Sequence, residues 1–144
     1  MAYSGHYRPS NPTKYRGDST GIVYRSLWER RVMVYLDTNS KVIEWSSEEI
    51  VIPYRSPVDN KVHRYFCDFY AKTTGGTFML EVKPAKQSAP PVQPKTRRIS
   101  RKYLNEVMTW GVNEAKWKAA TEYCLDRGWQ FKVITEHDLG IMGI

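Results

Sequence analysis

Tyr65-Phe66-Cys67-Asp68-Phe69 and Thr77-Phe78-Met79-Leu80-Glu81-Val82-Lys83 stand on either side of Thr73-Thr74-Gly75-Gly76. Aromatic and β-favouring residues flanking a Thr/Gly cluster predict two antiparallel strands, His63 to Lys72 and Thr77 to Lys83, joined by a tight turn. Side chains alternate along a strand, so Glu81 and Lys83 share one face while Val82 points into the other. If Thr74-Gly75 is the loop, Asp68 lies opposite Glu81; if Gly75-Gly76 is the loop, Asp68 lies opposite Lys83. Either two-residue loop therefore gathers Asp68, Glu81 and Lys83 on one face, and a three-residue loop undoes this by slipping the register. Phe66, Tyr70 and Met79 share that face, which is more apolar company than a plain solvent face needs.

Two carboxylates and an amine converging on a sheet surface match the needs of a hard divalent cation and a hydrolytic reaction. The carboxylates offer oxygen ligands to Mg²⁺, which keeps waters and reaches substrate phosphates. The lysine can stabilise developing negative charge or help position an attacking water. The plain alternative is a cross-strand ion pair worth roughly 0.2–1 kcal/mol.

Outward from the hairpin, Ser26 to Leu36 reads as a helix, with Ser26 as N-cap and Trp28, Val32, Tyr35 and Leu36 at helical spacing. Ser26-Leu27-Trp28-Glu29 fits a capping box, in which Glu29 reaches back to the Ser26 backbone N–H. Glu29 also lies on the border of the apolar stripe with Met33 and Leu36, so one carboxylate has two candidate roles. Ile50 to Tyr54 is a short β-rich run. Ser100 to Arg127 is a long helical stretch with a candidate bend at Gly111, closed by Gly128 at a C′ position. Trp129 to Thr135 alternates as a last strand would. The order α-β-β-β-α-β predicts an α/β (α+β) domain with a mixed central sheet.

The chain has 144 residues, the size of one domain, with 22 Lys and Arg against 15 Asp and Glu for a net charge of +7. That balance favours a polyanionic partner, of which nucleic acid is the commonest. Two stretches look irregular: residues 1–23, basic and rich in Tyr, Pro and Gly, and the Pro-rich stretch 84–99. From Pro84 to Asn105 there is no acidic residue, while Lys86, Lys95, Arg97, Arg98, Arg101 and Lys102 all fall there. This is either a solvated loop or an arm that tracks phosphates. Arg64 opens the Asp68 strand beside His63, and Asn113 and Lys116 share a face of the long helix. Tyr3, Tyr7 and Tyr15 are candidates either for stacking on bases or for docking the N-terminal arm. No apolar run is long enough for a membrane helix, the N-terminus has no secretory h-region, and Cys67 and Cys124 form no metal or disulfide pattern.

Helix-borne Glu29, then Asp68, then Glu81-Val82-Lys83, in α-β-β-β-α-β order, resembles the PD-(D/E)xK nuclease superfamily with its restriction-endonuclease-like core. Tyr24-Arg25-Ser26-Leu27-Trp28-Glu29 and Asn113-Glu114-Ala115-Lys116-Trp117 resemble its TnsA-like branch. Lys14-Tyr15-Arg16-Gly17-Asp18, Trp45-Ser46-Ser47-Glu48-Glu49 and Ala115-Lys116-Trp117-Lys118-Ala119-Ala120 look most like the head completion nucleases of T-even-type tailed phages. The resemblance implies a Mg²⁺ (or Mn²⁺) site built from Asp68, Glu81 and the Val82 carbonyl, completed by Glu29, with Lys83 as the catalytic lysine. It further implies hydrolysis of DNA phosphodiesters, with the helix of Asn113 and Lys116 flanking the site; Arg64 and the six basic residues of 84–102 are candidate DNA contacts by their own charge. Phage head or portal proteins would be partners, in the host cytoplasm during assembly or on the virion. The proline that usually precedes the motif's aspartate is Cys67 here. The competing readings are a non-catalytic virion protein that binds DNA ends, and a junction-resolving or transposition endonuclease. Four converging charges argue against the first, and solution mass separates a dimeric resolvase from a monomer.

Overall fold

The computed structural model describes residues 4–95 and 98–141. The chain runs β1 (Gly5–His6), a 3₁₀ turn (Pro12–Lys14), β2 (Val23–Tyr24), α1 (Leu27–Thr38), β3 (Val42–Ser47), β4 (Val51–Arg55), β5 (Val62–Phe66), β6 (Phe69–Thr73) and β7 (Gly76–Val82). A second 3₁₀ turn (Ala85–Ser88), α2 (Arg101–Arg127), β8 (Gln130–Ile134) and α3 (Glu136–Ile141) follow. The central sheet has the order β3-β6-β7-β8, antiparallel except for the parallel β7–β8 pair. The expected mixed sheet and α-β-β-β-α-β order are present, as α1-β3-β6-β7-α2-β8.

Two expected strands are placed differently. The His63–Lys72 stretch is not one strand: it breaks at Cys67-Asp68 into β5 and β6, which belong to different sheets. Cys67 turns its thiol into the apolar cluster beside α2, and Asp68 spends its side chain on the Val82 N–H, so the ladder cannot run through them. The Ile50–Tyr54 run does not enter the central sheet. As β4 it pairs with β5 in a separate two-stranded ribbon, Ile52 opposite Tyr65. Its expected place is taken by β3, where a register irregularity between Val42 and Glu44 blurs the period-2 pattern. The long helix runs through Gly111 as one α-helix, with no break there.

The sheet divides the core. On one face Val32, Met33 and Leu36 of α1 meet Trp45, Phe69, Ala71, Leu80 and Ile134. On the other, Ala120 and Cys124 of α2 meet Met79, Cys67 and the inward residues Ile52 and Tyr65 of the ribbon. Leu80 and Glu81 therefore point to opposite layers, as alternation requires. Both long helices start and stop on capping chemistry. Ser26 Oγ accepts from the Glu29 N–H at 3.2 Å and Ser100 Oγ from the Tyr103 N–H at 3.1 Å. Gly128, at φ 72°, closes α2 in a left-handed turn open to glycine at little cost.

The N-terminal segment packs onto the domain. Asp37 at the end of α1 is fully buried, and its carboxylate accepts from the Tyr7 hydroxyl at 2.7 Å and the Ser10 and Asn11 N–H groups at 2.7 and 3.0 Å. Lys14 Nζ donates to the Asp37 and Asn39 carbonyls, both at 2.9 Å. Tyr7 and Tyr15 are buried against Trp45, so of their two candidate roles they take docking. Tyr3 and Arg97 lie outside the described residues.

Candidate active site

The hairpin turn is Thr74-Gly75, with Thr73 paired to Gly76 and Phe69 to Leu80. Continuing that register brings Asp68 level with Glu81, one step past the last ladder pair. Asp68 Oδ2 accepts from the Val82 N–H at 2.8 Å, which ties the start of β6 to the end of β7 through a side chain. Glu81 is only 6% exposed, yet it carries a carboxylate. Its Oε2 is bound by the Tyr65 hydroxyl and by Trp117 Nε1 at 3.1 Å, so α2 and the ribbon both pin the same oxygen. Two donors on one buried carboxylate meet the requirement that an interior charge be hydrogen-bonded.

The pair is electrostatically frustrated. Burial first, then the neighbouring Glu81 carboxylate, pushes the Asp68 carboxyl well above its ordinary range, against the lowering effect of the Val82 N–H. Burial and the nearby Cys67 and Glu81 push the Tyr65 phenol up. A site that holds two carboxylates together at the cost of ionising Asp68 is short of positive charge.

Glu29 reaches the edge of this pair from α1. Its Oε2 accepts from Ser26 Oγ at 3.2 Å, so Ser26 caps the helix through the Glu29 N–H while the Glu29 side chain meets the Ser26 hydroxyl instead of the Ser26 backbone N–H expected of a capping box. Burial and then the Glu48 charge raise its carboxyl pKa, against the opposing Ser26 bond and Arg25 charge. Glu29 also contributes to the rise at Asp68, so Asp68 senses the charge of both other acids. Among the described residues no three His, Cys, Asp or Glu side chains are drawn together as a ready ligand set.

Lys83 lies just beyond β7. Its backbone N–H donates to the Ile134 carbonyl at 2.9 Å and extends the β7–β8 pairing. Among the described residues its ammonium forms no ion pair with Asp68 or Glu81. The structure thus juxtaposes Asp68 and Glu81 directly, holds Glu29 at their border and leaves Lys83 half-buried at the strand end. Phe66, expected on the carboxylates' face, is 45% exposed on the outer side of the ribbon, because the break at Cys67-Asp68 resets the alternation.

Lys116 Nζ lies 5.6 and 5.8 Å from the ring centres of Tyr65 and Tyr54, which places a second lysine one ring away from Glu81. Asn113, one turn earlier, is buried and lines a groove of about 830 Å³ with Lys86, Arg101, Lys102 and Trp110. Arg64 is exposed over the Phe66 ring, 5.7 Å from its centre, and Lys95 and Arg98 are exposed on the loop.

Four residues at the site carry no spacing signal of their own. Tyr65 and Trp117 bind Glu81 from segments far apart in the chain. Arg25 pairs with Glu48, and the Arg25 guanidinium is also stabilised by the charges of Glu29 and Asp68. Glu48 has φ 55°, a left-handed backbone rare for a non-glycine residue, and its N–H donates to the Asp68 carbonyl at 3.1 Å. The left-handed turn costs roughly 1–2 kcal/mol and is held by what it positions, the Asp68 backbone and the Arg25 side chain.

Residues 39–136, which contain Asp68, Glu81, Lys83 and Trp117, match the TnsA-like endonuclease N-terminal domain family. The chain is also 44% identical over 146 aligned positions to the head completion nuclease of Enterobacteria phage T4, covering 99% of this chain and 97% of that one. The family match takes in the whole of the central sheet, the ribbon and α2, and the longer similarity adds α1 with Glu29 and the docked N-terminal segment. The chain belongs to the TnsA-like endonuclease family.

Proposed function

We propose that the protein is a divalent-metal-dependent DNA endonuclease of the PD-(D/E)xK type that acts in phage head completion. The observation that carries this is the Asp68–Glu81 pair: two abutting carboxylates, one buried and the other with its pKa driven up, need a cation to share. The residues present fit Mg²⁺ or Mn²⁺, because carboxylate and carbonyl oxygens are the donors these hard ions take. Asp68, Glu81 and the Val82 carbonyl would hold the ion, with Glu29 completing the set once it leaves Ser26. When bound, the ion supplies charge to a phosphoryl oxygen and lowers the pKa of its water.

The chain's own groups do the rest. Tyr65 and Trp117 fix the orientation of Glu81 through Oε2, and the Val82 N–H does the same for Asp68. Lys83, just past the end of the strand that carries Glu81, orients the attacking water and steadies the charge that develops on the phosphoryl group. Arg101, Lys102 and Lys86 beside Asn113 line the groove along which the phosphate backbone runs, and the exposed Lys95 and Arg98 of the same loop and Lys116, one turn from Asn113 on α2, add positive charge to that path. The reaction takes place in the host cytoplasm during assembly, with phage head or portal proteins as partners. The test is cleavage of plasmid and branched DNA in Mg²⁺, in Mn²⁺ and in EDTA, by the wild type and by Asp68→Ala and Glu81→Ala variants shown to be folded. Metal-dependent cutting that both variants lack is expected. Cutting that survives in EDTA or in either variant removes the site from the reaction.

A further inference from the structure

The β4–β5 ribbon has one face with no partner among the described residues. Its inward residues, Ile52, Tyr54 and Tyr65, pack toward α2, and alternation turns the cross-strand pairs Val51–Phe66, Pro53–Arg64 and Arg55–Val62 outward. All six of those side chains are exposed, Val62 at 61%. The face carries two guanidinium groups and no carboxylate. Its other four side chains are apolar and pack into no cluster. Neither Arg is loose: Arg64 lies over the Phe66 ring, and Arg55 Nη1 is held by the Asn60 carbonyl at 2.6 Å. Two pre-oriented guanidinium groups on a narrow ribbon are suited to phosphate, where planar, bidentate donors outperform an ammonium.

We propose that this outward face is a second DNA-binding surface, seated on the duplex beside the cleavage position. The inference rests on the nuclease reading and adds to it a substrate class, double-stranded DNA, and the element that places it. Three observations favour duplex DNA over a protein surface. The charge on the face is wholly positive. A two-stranded ribbon of five-residue strands is narrow enough for the major groove. Phe66 is two residues from Asp68, so the near end of this face is joined to the carboxylate pair by at most about 7 Å of chain. Arg64 and Arg55 bind the phosphates, and the ribbon gives the duplex a fixed distance from the acids.

The experiment measures binding of a labelled 30-base-pair duplex in Ca²⁺ over a range of salt. The Asp68→Asn chain serves as the uncut background. Arg64→Gln, Phe66→Ser and Arg55→Lys/Arg64→Gln are compared with Arg127→Ala, a charge removal at the far end of α2. Arg64→Gln breaks no hydrogen bond identified in the structure, so it stays informative if the double variant folds poorly. The expected result is an affinity loss of about tenfold for Arg64→Gln, with the slope of log affinity against log salt shallower by about 0.9 for each phosphate no longer neutralised. Arg127→Ala leaves the slope unchanged. If the background chain binds duplex and the ribbon variants match it in affinity and slope, the DNA assignment is overturned and the face passes to a protein partner. Wild-type cleavage is run in parallel. A wild type that cuts while the ribbon variants bind normally overturns the ribbon alone, and a wild type that neither cuts nor binds overturns the nuclease reading with it.

Discussion

Replacing Asp68 by Asn should make the metal-free protein more stable while destroying its activity. Burial and the neighbouring Glu81 charge raise the Asp68 pKa in the folded protein above its unfolded value. A carboxyl with a raised folded pKa contributes stability below its unfolded pKa and loses that contribution as pH rises through the folded value. Wild type in EDTA therefore weakens from acid toward neutral pH over the window set by that rise. Two unit charges about 4 Å apart repel by roughly 4 kcal/mol at an effective dielectric constant of 20. Relaxation and the weaker bond from the Val82 N–H to a neutral amide oxygen reduce this, leaving a net gain of about 1–3 kcal/mol for Asp68→Asn at pH 8. For a chain of this size that is about 3–9 °C in Tm. The assay is thermal unfolding in EDTA from pH 5 to pH 8.5, repeated with Mn²⁺. The variant should melt higher than wild type at pH 8, with a flatter pH profile, and Mn²⁺ at about 100 times its Kd should restore about 2.7 kcal/mol to wild type alone. A variant that melts lower at pH 8, or one that keeps the wild-type pH slope, refutes the reasoning.

Three further outcomes are expected. Lys83→Met should lower kcat by about 10²–10³-fold, with Mn²⁺ affinity by calorimetry unchanged, since its ammonium forms no ion pair with the acids in the metal-free protein. Glu48→Gly should leave Tm level or higher, because φ 55° no longer strains the backbone, while cleavage falls about tenfold as Arg25 loses its partner; chemical denaturation and turnover measured on one preparation check both halves. Tyr7→Phe removes a 2.7 Å donor from fully buried Asp37 and should cost about 1–3 kcal/mol in urea unfolding, with DNA cleavage at low temperature unaffected.

What the sequence discloses here follows the range of the forces involved. The start of α1 is legible because Ser26 and Glu29 are three residues apart and satisfy each other locally. The hairpin register is legible because a two-residue turn leaves only two choices, and both bring Asp68 onto the Glu81 face. The split of the Asp68 strand is not legible. It depends on the Val82 N–H from 14 residues downstream and on the Glu48 N–H from 20 residues upstream. β3 is hidden by its irregular register, and the ribbon by the fact that Ile50–Tyr54 reads as a strand without saying which strand it joins. The pinning of Glu81 by Tyr65 and Trp117 joins residues 16 and 36 positions away, beyond the reach of any spacing rule. Composition indicates an anionic partner but not that Lys14, counted among the basic residues of the N-terminal arm, is committed to backbone carbonyls.

The docking of the N-terminal segment also bears on how the chain avoids pairing with its own copies. β3 is an edge of the central sheet, and an open edge is a template on which another chain can grow. Tyr15 forms a parallel bridge to Trp45, the Arg16 N–H donates to the Trp45 carbonyl at 2.8 Å, and the Tyr15 hydroxyl accepts from the Ser47 N–H at 3.1 Å. The segment before α1 thus acts as a guard rail along that edge, latched at the far end by Asp37. Trimming the N-terminus would remove the guard together with Tyr7, Tyr15 and Ile22 of the layer beneath α1, and the shortened chain would be both less stable and open to self-association along β3.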